Sequence, residues 1–130
     1  MNRLIKTSTM LFLVLTASTV LAAPAVLITH NNTPYESNAY TLGVIPSKHP
    51  TPAYGRGEVP WSIVAWICAS SGQPHICKAL IKMETNTSHP VDLGWVTLNL
   101  DTGEITPKSL SQNGYTLVVN GPGETTLSKN

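Results

Sequence analysis

Few residues in this chain have the chemistry to bind or react, and they are scattered. Cys68 and Cys77 are its only cysteines, with His75 between them. Together they offer three metal ligands, but a structural zinc site needs four in a recognised spacing, and the sequence shows no fourth. The two thiols are therefore expected to form a disulfide, the default in an oxidising compartment. Closing so short a loop is expected to stabilise by about 2 to 3 kcal/mol. Neither a metal nor a cofactor is expected.

The histidines, His30, His49, His75 and His89, sit in loop-like context, and each reads as a solvated loop residue rather than a base or ligand. Asp92, Asp101 and Glu104 fall in or beside predicted turns, and Asp101 is best explained by turn hydrogen bonding. No G-x-S-x-G elbow, H-E-x-x-H helix, Walker loop or dinucleotide glycine pattern is present. A small hydrolase is kept as an alternative, because two carboxylates facing across a cleft leave no sequence pattern. Catalysis is the less favoured reading.

The most unusual stretch is 46–60, which is long for a connection in a small domain and carries four prolines. It concentrates His49, Tyr54, Arg56 and Glu58, and Tyr and Arg are favoured at recognition surfaces. Gly55 and Gly57 flank Arg56 and are expected to let the backbone turn and present it. The plainer reading of 46–60 is a proline-stiffened crossover between two sheets. Asn31-Asn32-Thr33 and Asn86-Thr87-Ser88 match the glycosylation sequon and are expected only to mark surface loops.

The elements that position these residues follow from the prolines. Ten are spread from position 24 to 122, which leaves little room for long helices. In the proline-free windows, 61–68, 93–100 and 115–120 are β-branched, aromatic and alternating, and read as strands. Residues 25–30 and 39–45 are weaker candidates, and 124–127 a short final edge. The window 76–84 fits both helical and strand spacing, with strand preferred. Asp101 and Gly103 mark a hairpin turn. The expected fold is all-β, a small antiparallel β-sandwich or barrel with one local hairpin disulfide, Cys68 to Cys77, at the base of a turn at 69–76. A true immunoglobulin domain is not supported, because its disulfide ties distant strands across two sheets. Within the strand at 61–68, Trp66 would share a face with Val64 and Cys68 and pack on the disulfide. Trp61 and Trp95 are placed in the core ahead of an exposed sugar-stacking platform.

Residues 1–22 have the form of a signal peptide, with Arg3 and Lys6 before an uncharged apolar run at 10–17. That run is too short and too broken by Thr16, Ser18 and Thr19 for a membrane span. Val20 and Ala22 place small residues at −3 and −1, so processing is expected after Ala22, leaving 23–130 as one domain without a membrane anchor. Losing Arg3 and Lys6 leaves six basic against seven acidic residues. Nucleic acid is therefore not an expected partner.

At the C-terminal end, Leu98-Asn99-Leu100-Asp101-Thr102-Gly103-Glu104-Ile105-Thr106-Pro107 and 113–124 resemble small exoproteins of Gram-negative bacteria, some exported by type II secretion. The resemblance covers about a third of the chain. It implies export and host-facing use and transfers no site residue. The expected function is therefore a secreted or periplasmic binding module whose partner is an extracellular protein or glycan. A second alternative is an inhibitor of an extracellular hydrolase, presenting the loop 69–76.

Overall fold

A computed structural model describes residues 22–69 and 73–130 of the chain. The signal-like segment before residue 22 and the centre of the 69–76 loop therefore lie outside the described residues.

The described residues form two five-stranded sheets packed face to face. Its elements are β1 (Val26–Asn31), β2 (Ser37–Thr41), β3 (Ile45–Pro46), β4 (Arg56–Pro60), α1 (Trp61–Ala69), β5 (Ile76–Met83), β6 (Val91–Asn99), β7 (Ile105–Thr106), β8 (Ser109–Gln112), β9 (Tyr115–Gly121) and β10 (Glu124–Lys129). One sheet has the order β4-β1-β10-β9-β8, the other β3-β2-β5-β6-β7. The β-sandwich read from the sequence is correct. The final strand departs from expectation: β10 lies in the middle of its sheet, parallel to β1 and antiparallel to β9. The sequence could not reveal this, because Thr125 and Leu127 alternate like any half-buried strand.

The larger correction is at 61–69, which is a helix. Trp61, Val64 and Cys68 are its buried residues, a spacing of three and four that belongs to a helix face. Ile63 and Trp66 are exposed on the other side, so the segment is apolar all round and its periodicity resembles that of a buried strand. Trp61 is held in the core, its Nε1 donating to the Leu100 carbonyl at 3.0 Å. Cys68 and Cys77 are bonded, with Cα atoms 5.4 Å apart. The bridge joins α1 to β5 rather than two strands of a hairpin. It also removes both sulfurs as metal ligands.

The window 76–84 is a strand, as preferred. The hairpin at 100–105 also forms, with Leu98 paired to Ile105. Its turn chemistry comes from Asn99, whose Oδ1 accepts from the backbone N–H groups of Asp101 and Thr102. The Asp101 carboxylate points instead to His75, 3.1 Å away.

The two long edges of the sandwich differ. Along the β7/β8 edge the sheets meet, and Gly94, at a φ of 152°, sits where an added Cβ would stand 3.0 Å from Leu110 of the facing sheet. Along the β3/β4 edge the sheets are bridged by the 46–60 segment, which is the crossover between them. Ser47 and Thr51 hydrogen-bond along β2, and the chain then passes to the other sheet. Buried Asn31 pins that passage, its Nδ2 donating to the carbonyls of Tyr35 at 2.7 Å and Pro52 at 3.1 Å. Its Oδ1 accepts from the Thr33 hydroxyl at 2.8 Å. The first sequon is thus buried structure and not a surface loop, whereas Asn86 to Ser88 are exposed.

Candidate functional site

Three features converge on the β3/β4 edge. The first is an interior cavity of about 140 Å³ between the sheets, walled by aliphatic side chains including Leu27, Val59, Ile81, Val96 and Leu117. The second is an adjoining space of about 90 Å³ that shares several of these walls. The third is an open groove of about 670 Å³ between α1 and β3, bordered by Ile45, Pro46, Ile63 and Trp66. Ser47 and His49 line all three. His49 is held there by a local turn, its backbone N–H donating to the Ser47 hydroxyl at 2.8 Å.

Beside the groove an apolar band lies on the surface. Trp66 is 76% exposed, and the turn joining β2 to β3 presents Leu42, Val44 and Ile45 at 57%, 74% and 50%. On the far side of that turn stands Trp95, half exposed, its ring packed against Gly43 so closely that a Cβ there would meet it at 2.9 Å. Gly43 also has a φ of 76°, which glycine adopts at little cost. The turn thus has Trp95 packed on Gly43, while its Ile45 borders the groove that Trp66 also lines. On the outer sheet face Trp95 and Tyr40 flank Leu80, which is thereby buried. Trp66 therefore does not pack on the disulfide and Trp95 is not in the core; Trp61 alone of the three lies there.

The residues singled out in 46–60 do not form one cluster. His49 is at the cavity mouth. Tyr54 is 73% exposed on the crossover, at a φ of 53°, and its backbone N–H donates to the Thr33 carbonyl. Arg56 and Glu58 lie on β4 and pair with each other at 2.8 Å, both about half exposed. Gly55 and Gly57 are not turning points for Arg56. A Cβ on Gly57 would meet the Thr51 hydroxyl oxygen at 2.6 Å and one on Gly55 the Pro52 ring at 2.6 Å, so both are glycine because the crossover passes close by.

The remaining ionisable groups are dispersed. His30 is in β1, not a loop, and its Nε2 lies 2.6 Å from Glu124. Burial first, then the hydrogen bond to Glu84 and its charge, hold the Tyr115 phenol well above its ordinary value of 10.0. That group belongs to the packed end of the sandwich, where its ring also meets Tyr35 edge-on at 6.2 Å. Among the described residues no group of three or more His, Cys, Asp or Glu side chains could hold a metal.

Sequence reasoning missed the groove residues Ile45, Ile63 and Trp66. The sequence carries no signal for them, because Ile63 and Trp66 are as apolar as the inward Trp61, Val64 and Cys68.

Comparison with known proteins bears on the whole chain. A family model described as the T2SS substrate NttC matches residues 1–130. The chain is also similar to a solved structure, the type II secretion system substrate NttC of Legionella pneumophila. The identity is 54% and the TM-score 0.81, over 83% of this chain and all of that one. The likeness to exported proteins thus extends well beyond the C-terminal third. No curated protein matches the chain.

Proposed function

Because the chain belongs to the NttC family of type II secretion substrates, and so is secreted through the periplasm to the outside of the cell, we propose that it works there by binding a partner rather than by catalysis. One observation carries this reading: the exposed apolar band of Trp95, Leu42, Val44, Ile45 and Trp66. Contiguous apolar surface of this kind marks interaction sites, and tryptophan is enriched among residues that dominate binding energy. The aliphatic neighbours favour a protein over a glycan, since sugar stacking needs bare aromatic faces with polar groups around them. His49, Tyr54, Arg56 and Glu58 are the lesser part of the proposed contact surface.

The test is capture of extracellular proteins on the immobilised exported protein, beside Trp66→Ala and Trp95→Ala variants of equal melting temperature. The reading expects proteins retained by the native form at least tenfold better than by either variant. Equal retention, or no protein retained, contradicts it. Retention of glycans alone moves the reading to a sugar-binding surface.

A further inference from the structure

The interior of the β3/β4 edge goes beyond that surface reading. Two spaces of about 140 and 90 Å³ adjoin between the sheets and share walls, Leu27, Val59, Ile81 and Leu117 among them. The walls of this hollow come from strands of both sheets and are dominated by aliphatic side chains, with Ala39 and Ala79 supplying the least bulk. For scale, an engineered apolar cavity of roughly 150 Å³ takes up benzene, so the larger space holds about six carbons. The hollow and the surface groove share Thr41, Ser47, His49 and Ile67. A chain seated inside can therefore continue outward past these residues. The groove lining includes Lys48 and His49 and no carboxylate, so the exit favours an anionic group over a cationic one.

From this geometry we infer that the inter-sheet hollow binds the aliphatic tail of a medium-chain fatty carboxylate, whose head group lies at the mouth between Lys48 and His49. A space walled chiefly by aliphatic side chains takes an alkyl tail. A cationic rim selects the carboxylate over an alcohol of equal length.

Decanoate and 1-decanol, titrated calorimetrically into the exported protein, provide the test. Decanoate is expected to bind saturably at one per chain and at least fivefold more tightly than decanol. Ala39→Leu, which fills the hollow, is expected to weaken both ligands at least tenfold. Changing Lys48 and His49 together to Ala alters only exposed loop side chains, and is expected to weaken decanoate while leaving decanol unchanged. Trp95→Ala separates this inference from the partner reading, because it should reduce protein capture and leave decanoate binding intact. The inference is overturned by absence of saturable decanoate binding, by binding indifferent to both the Ala39 and the Lys48/His49 changes, or by association only with phosphatidylglycerol vesicles.

Discussion

The two ends of this sandwich do different work. Around Met83, Leu93 and Tyr115 the side chains are buried to 1% exposure or less. Along the β3/β4 edge the sheets enclose a hollow instead, and Trp66 and Val44 beside it are about three-quarters exposed. A small domain buries a modest fraction of its surface, so leaving an edge hollow has to be offset elsewhere. The packed end and the disulfide supply that offset. The difference shows that close packing is concentrated in one part of the core, while the hollow and the exposed apolar band lie in another.

The largest expected effect breaks this comparison or upholds it with a single substitution type. Leu93→Ala, at the packed end, should destabilise by about 3 to 5 kcal/mol, since truncation there leaves a new cavity. Leu27→Ala, on the wall of the existing hollow, should cost about half as much, because much of its contact is already missing. Urea unfolding measures both, and equal losses would show that the two regions are packed alike.

How legible this division was depends on the element. Strands such as β6 and β9 were readable because their alternation places Val96, Leu98, Tyr115 and Leu117 inward at a period of two. The helix was not readable. Its outward residues Ile63 and Trp66 are as apolar as its inward ones, so no contrast of faces separated helix from strand. The apolar band was missed for the same reason: an exposed tryptophan looks in sequence like a buried one. His49 was legible as a residue of interest, but only the crossover's path along β2 puts it at the mouth of the hollow. Tyr54, Arg56 and Glu58 follow one another closely in sequence, yet the turn at Tyr54 and the start of β4 separate the tyrosine from the ion pair.

The disulfide sharpens the comparison next. Replacing Cys68 and Cys77 together with Ser should cost about 2 to 3 kcal/mol by chain entropy. It should also loosen α1, which walls the groove, more than the packed end. Hydrogen exchange resolves this, and uniform loss of protection across β6, β9 and α1 would count against it.

A smaller effect lies in alkali. The native state holds the Tyr115 proton above its ordinary value of 10.0, whereas the unfolded chain releases it near that value. The contribution is therefore complete below pH 10 and lost as the pH rises further. Melting temperature should fall above pH 10, and Tyr115→Phe should make that fall shallower. An unchanged slope in the variant would remove Tyr115 from the explanation.

The central claim is that the core is filled at one end and hollow at the open edge. Xenon, an apolar probe that enters empty apolar cavities, tests it most directly when titrated against the methyl NMR spectrum of the exported protein. The account predicts saturable shifts at Leu27, Val59, Ile81, Val96 and Leu117, with Met83 and Leu93 unmoved. Shifts spread evenly over both groups, or none in either, would contradict it.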